Sequence, residues 1–295
     1  TPLYSSAASD VYKRQMFNSS FIVRSFHVVA TAGMTMAFIL AAIAAFKLLK
    51  QTHPEDKRYH LKALKMTMIV GFISTLLSML AGDMSAKFLH KVQPEKLAAY
   101  EWHFDTQSQA NLVFFGVLNE KTNEVSGAIE IPGMLSFLAD NSLKTTVKGL
   151  NDFPKNELPP LIVHYFFDLM VSMGVFCFVI SGIFMLILLI KKLRHLTTHK
   201  VVLYSILLTG PASMLAIEFG WFLTEMGRQP WIVRGYLRVS QAATQAGGIT
   251  LVTILFGLLY LVLIVTSAYV LLRMFRNKPA INDVNQVLKE RGDNK

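Results

Sequence analysis

Residues 249–272 read ITLVTILFGLLYLVLIVTSAYVLL, with no Asp, Glu, Lys or Arg among them. A bilayer core about 30 Å thick is crossed by roughly 20 apolar residues in a helix. The stretch is long enough to span, and it lacks the polar–apolar alternation of a barrel strand. Four more stretches pass the same test. Residues 25–46 carry no formal charge and one histidine; residues 66–82 are uncharged and slightly short. Residues 161–190 contain one acid, Asp168, and residues 201–224 contain one acid, Glu218, and a mid-span Pro211. A helix satisfies its own backbone groups in lipid, so the expected fold class is all-α, a polytopic transmembrane helix bundle with five spans.

Composition points the same way. The 295 residues are 53% hydrophobic and 16% charged, against about 25% charge in a soluble domain, and the mean hydropathy is +0.42. With 21 Phe and 14 Met the chain is too apolar for disorder. Its single cysteine, Cys177, excludes a disulfide framework, a cysteine zinc site, an iron–sulfur cluster and a CxxCH haem attachment. Any metal chemistry falls to His, Met or carboxylates.

The net charge of +10 is unevenly spread. Residues 47–65 hold six bases and two acids, residues 191–200 four bases and no acid, and the tail after Leu272 six bases and three acids. If every span crosses, these three segments share one side, which the positive-inside rule makes cytoplasmic. The opposite side receives the loop 225–248 and the long segment 83–160, with ten acids and seven bases. Bases placed this way give an orientation signal; they do not cluster on one polar domain as in a nucleic-acid binder.

The expected organisation is therefore a leader at 1–15, two spans within 16–82, an extracytoplasmic loop at 83–160, three spans within 161–275 and a cytoplasmic tail at 276–295. The leader, TPLYSSAASDVYKRQ, has no signal-peptide core and reads as a cloning or assembly scar, or else a flexible native terminus.

Ionisable and ligand-type residues inside spans are costly and are functional candidates. His27, in RSFHVVATAG, lies near the outer end of the first span with small neighbours that leave room for a flat ligand. The alternative is a histidine bonded to a neighbouring helix. Met170, in HYFFDLMVSMG, lies near the outer end of the third span; a lone Met is usually core filler, but a His/Met pair is an axial set for low-spin haem. In EFGWFLTEMGRQPW (218–231), Glu225 and Arg228 are three apart and share a face if the helix continues, until Pro230 discourages it. A carboxylate can ligate iron and a guanidinium can hold a propionate; the alternative is an interfacial ion pair with Trp221 and Trp231 as belt anchors. In PEKLAAYEWHF (94–104), Lys96 and Glu101 sit beside Tyr100, Trp102 and His103. An acid and a base among aromatics could bind a hydroxylated ring and accept its protons, whereas the bland reading is a solvated amphipathic helix.

Together these strings carry a resemblance. GWFLTEMGRQPW resembles the signature of the large subunit of cytochrome bd-type quinol oxidases, KLAAYEWHFDTQ resembles that family's quinol-loop motif, and RSFHVVA resembles the segment holding its first b-haem histidine. Order and intervening spans match over residues 16 to about 275. The resemblance implies that His27 and Met170 are axial ligands of haem b558. It makes Glu225 the ligand of haem b595 with Arg228 on propionates, Trp221 the tryptophan between the haems, and Lys96 and Glu101 the quinol-binding pair. It also implies a third haem, d or b, in the complete enzyme, ubiquinol or menaquinol as substrate, oxygen as acceptor, a second subunit, and in some members small single-span subunits. It places the protein in the bacterial inner membrane with an outward quinol loop and electrogenic turnover through cytoplasmic proton uptake.

Two features depart from the family's pattern. Its subunit has nine spans and this chain shows five, so the resemblance is to an N-terminally truncated piece that lacks the histidine of the oxygen-reducing haem and is expected to be inactive alone. The loop 83–160 resembles the family's short form. Two rival readings are a haem-b quinol-linked electron-transfer protein that is not a terminal oxidase, and a transporter using Asp168, Glu218 and Glu225 as an ion path.

Overall fold

The computed structural model describes residues 17–50, 54–244 and 247–277. The leader at 1–15 and nearly all of the tail at 276–295 lie outside the described residues. Helix α1 runs Phe21–Leu49 and α2 runs Pro54–Val92. The long segment at 93–162 follows, with α3 (Pro94–Tyr100) and α4 (Met134–Asp140) among short strands. Helices α5 (Val163–Leu189), α6 (Lys200–Met226), the one-turn α7 (Val239–Ala242) and α8 (Ile249–Asn277) complete the order. Five of these are long and apolar enough to cross a membrane, so the fold is a mostly helical polytopic membrane bundle.

The second apolar stretch is only the middle of its helix. α2 has 39 residues, so the basic residues Lys57, Arg58, Lys62 and Lys65 lie on its first turns rather than in a loop. Its far end, through Val92, projects into what the charge pattern assigned to the outer segment. Hydropathy marks the lipid-facing length of a helix; backbone bonding carries it further at both ends.

α1, α2, α5 and α6 form a ring in which each helix packs on two neighbours, and successive contacts run in opposite directions. On α1 and α2, Gly33 meets Ser74 while Phe38 meets Gly71; on α1 and α6, Thr35 meets the Ser213 carbonyl at 3.4 Å while Ala42 meets Gly210. On α5 and α6, Cys177 meets the Thr209 carbonyl while Met170 meets Gly220. Between membrane helices, close approach of small residues does much of the packing work. α1 buries Ala30, Ala37, Ala41, Ala42, Ala44 and Ala45. A β-carbon on Gly71 would come within 2.9 Å of the Phe38 ring, and one on Gly210 within 2.8 Å of Ala42. Phe38 and Phe184 are the largest fully buried side chains of this core. Buried hydroxyls return to their own helix: Thr75 donates to the Gly71 carbonyl at 2.7 Å and Ser181 to the Cys177 carbonyl at 2.7 Å, as an apolar surround demands. Every described side chain of α8 is exposed.

The segment at 93–162 is not purely helical. Strands β1 (Gln107–Ser108), β2 (Leu112–Phe114), β3 (Val117–Asn119), β4 (Glu124–Ser126), β5 (Ile129–Ile131) and β6 (Thr146–Val147) pair antiparallel as β1–β6, β2–β5 and β3–β4. β7 (Trp231–Val233) and β8 (Leu237–Arg238) make a hairpin after α6. Runs of two or three residues are too short to show a period of two in sequence.

Candidate functional site

α3 opens with Pro94 at a first-turn position, where the missing N–H is not needed. It is not a solvated amphipathic helix: Lys96, Leu97, Ala98, Ala99 and Tyr100 are all buried, against the end of α2, α5 and the turn Leu150–Asp152. Tyr100 stacks on Phe167 of α5 with ring centroids 6.1 Å apart, and its hydroxyl donates to the Leu223 carbonyl of α6 at 3.3 Å. Beneath it lies Gly227. A β-carbon there would collide with the Tyr100 hydroxyl and come within 2.7 Å of its ring. The glycine of GRQPW thus makes room for the tyrosine of KLAAYEW, and two motifs more than a hundred residues apart interlock.

Lys96 and Glu101 point to different sides of that joint. Lys96 lines a cleft of about 380 Å³ together with Arg24, Glu95, Glu225, Arg228 and Arg234. Burial, then the positive charges of Arg24 and Arg228, bring its ammonium down to about 8 against the pull of Glu95 and Glu225. Glu101 faces inward. Its Oε2 is buried without a hydrogen-bond partner, and burial followed by the charge of Asp168 pushes its carboxyl up to about 8. Lys96 and Glu101 form no ion pair with one another among the described residues.

α6 ends at Met226, before Pro230. Glu225 and Arg228 still pair, through the turn that follows the helix, and both are about half exposed, so the pair itself adds little stability. Arg238 sits over the Trp231 ring, 4.7 Å from its centroid. Trp221 is 59% exposed on the outside of the four-helix ring.

His27 and Met170 come to one level. From the Thr35–Ser213 contact, eight residues outward on each antiparallel helix, about 12 Å at 1.5 Å per residue, lead to His27 and Trp221. The neighbour of Trp221, Gly220, is where Met170 packs: a β-carbon there would lie 3.3 Å from its sulfur. His27 Nδ1 is buried without a partner. The donor types and the shared level fit a low-spin haem.

One cluster went unread in the sequence. His164, fully buried on α5, has Nδ1 2.7 Å from the Tyr100 carbonyl and Nε2 3.1 Å from Asp168 Oδ2. Trp102 stacks on its ring at 4.0 Å and donates to the Leu161 carbonyl at 2.8 Å. Asp168 Oδ2 also accepts the Phe115 N–H at 2.6 Å, which makes Asp168 a tie between α5 and the strand-bearing segment. The i, i+4 spacing of His164 and Asp168 was visible, but only the fold puts a carbonyl and an indole around them.

The chain is similar to known proteins. A Bacillus subtilis protein named as a putative cytochrome bd menaquinol oxidase subunit I is 40% identical over 270 residues, covering 91% of this chain and 60% of that protein. The cytochrome bd-II ubiquinol oxidase subunit 1 of Escherichia coli is 23% identical over 349 residues, covering 95% of this chain and 67% of that protein. The structure of a bd oxidase from Geobacillus thermodenitrificans superposes with a TM-score of 0.83 at 47% identity, over 90% of this chain and 60% of that one. The chain thus spans about 60% of the Bacillus subtilis and Geobacillus proteins. The family model described as cytochrome bd terminal oxidase subunit I matches residues 6–279, and the chain belongs to that family.

Proposed function

We propose that this chain is the quinol-oxidising portion of the large subunit of an electrogenic bd-type quinol oxidase. The observation that carries the reading is the seat of Tyr100 over Gly227. It holds the loop helix with Lys96 and Glu101 against the helix end that carries Glu225 and Arg228, at the same end of the bundle as His27 and Met170.

Quinol oxidation releases two protons and two electrons. Glu101, buried and without a partner for Oε2, accepts a proton from a quinol hydroxyl. Lys96 holds a quinol oxygen through its ammonium, which the cleft keeps near the border of ionisation. Arg24 and Arg228 flank the cleft as fixed cations for acidic groups. His27 and Met170 are the residues that would hold the low-spin b haem, and Glu225, steadied by Arg228, the high-spin one; Trp221 would serve electron transfer between them, and a third haem, d or b, would reduce oxygen in the complete enzyme. Bound haem supplies one-electron acceptance, which lets a two-electron donor hand over its electrons singly.

The basic segments put the opposite end of the bundle in the cytoplasm, so quinol protons leave on the outer side of a bacterial inner membrane while protons for water enter from the cytoplasm. That separation makes turnover electrogenic. The exposed apolar faces of α8 suit a second oxidase subunit, with room for small single-span ones. The relatives' names include both menaquinol and ubiquinol, and either quinol fits a ring-binding cleft. In the assembled enzyme, Lys96→Ala and Glu101→Ala should slow quinol oxidation about 100-fold or more with haem content unchanged. Unchanged quinol turnover would overturn the reading, and loss of haem in either variant would show the loop to be structural.

A further inference from the structure

We propose that His164 is a positioning residue for quinol oxidation: by donating its Nδ1–H to the Tyr100 carbonyl it fixes the turn that aims Glu101 inward. The inference rests on the quinol-loop reading above.

Four observations carry it. Glu101 is 2% exposed and its Oε2 has no hydrogen-bond partner, so the direction of its carboxyl depends on the backbone that bears it. That backbone turns sharply, because Glu101 ends α3 and Trp102 takes the left-handed φ of 46°. Such a conformation is uncommon for a bulky residue and needs surrounding contacts to hold it. The tie at the bend is His164: a carbonyl only accepts, so Nδ1 at 2.7 Å must donate. The imidazole itself is enclosed, fully buried and covered by Trp102 at 4.0 Å with the planes 23° apart.

The contact of Nε2 with Asp168 Oδ2 is of a different kind. The atoms are 3.1 Å apart, yet Nε2 lies outside hydrogen-bonding geometry. The hydrogen bond of the ring is therefore the one from Nδ1 to the Tyr100 carbonyl. His164 also stands six residues before Met170 on α5, about 9 Å along the helix. One element therefore carries the support for the proton acceptor and the thioether at a set separation.

The two ring nitrogens can be tested apart, because the amide nitrogen of Asn occupies the place of Nδ1 and that of Gln the place of Nε2. The assay uses the assembled membrane enzyme with a short-tailed quinol as substrate. It reads kcat and KM together with the reduced-minus-oxidised haem spectrum. His164→Asn should keep kcat within about threefold, while His164→Gln should lose roughly 10- to 100-fold in kcat, the scale of a misplaced reacting group. KM and the low-spin band should change little in both. Equal loss in both variants, or no loss in either, while Glu101→Gln still abolishes turnover, would overturn the role of His164 alone. Full turnover in Glu101→Gln would instead overturn the quinol-loop reading and this inference with it.

Discussion

Tyr100 and Gly227 occupy one space: the phenol of the loop helix fills the position a side chain on Gly227 would need. Gly227 has an ordinary helical φ of −70°, so its requirement is steric and not conformational. Gly227→Ala should force Tyr100 off α6 and break its bond to the Leu223 carbonyl. Overpacking of this kind costs about 1–3 kcal/mol. Thermal unfolding of the purified protein should move to lower temperature, and quinol oxidation should fall with it; Tyr100→Phe, which keeps the ring and removes one hydrogen bond, should cost about 1 kcal/mol.

The proposed quinol oxidation should have a pH dependence set by two groups shifted in opposite directions. Glu101 is raised to about 8 and must lose its proton to act as a base, so activity should climb as pH rises toward 8. Lys96 is lowered to about 8 and must keep its proton to act as a cation, so activity should decline above that pH. The product is a narrow bell centred near pH 8 in kcat/KM. Arg24→Gln removes a charge that lowers Lys96, so the alkaline limb should move to higher pH. Asp168→Asn removes a charge that raises Glu101, so the acid limb should move to lower pH. A steady-state profile between pH 6 and 10 for the three proteins checks both signs.

The spans and the strings that mark the site were readable because each is a local pattern. A charge-free run such as 249–272 announces a helix by itself, and Pro230 announces a helix end. The burial of α3 was not readable. PEKLAAY has the composition of a surface helix, and Lys96 is buried only because Tyr100 finds a glycine on α6 and Phe167 on α5. The role of His164 was hidden for the same reason: its partner is a carbonyl, which every residue has and no sequence displays. The extent of α2 escaped because hydropathy stops at the membrane boundary and the helix does not.

The proposed axial pair makes a spectroscopic prediction. His27→Ala or Met170→Leu should abolish or convert the low-spin b-haem band in a reduced-minus-oxidised spectrum. Gly220→Val, which would drive a side chain into the Met170 sulfur, should perturb the same band from the neighbouring helix. A wild-type spectrum in either ligand variant would remove that residue from the ligand set.

Arg234 straps the hairpin after α6 to the base of the loop helix. Its guanidinium meets Glu95 at 2.6 Å and the Val92 carbonyl at 2.7 Å, closing one wall of the cleft that Lys96 lines. Because the arginine is about half exposed, its removal should cost at most about 1 kcal/mol of stability. Its effect should appear in substrate handling instead. Arg234→Ala should raise the quinol KM severalfold while kcat and haem content stay near wild type, since the cleft wall loosens but Lys96, Glu101 and the proposed haem ligands keep their places. Steady-state kinetics with a short-tailed quinol separates the two constants; a fall in kcat with unchanged KM would mean that the strap acts on the proton acceptor rather than on the cleft.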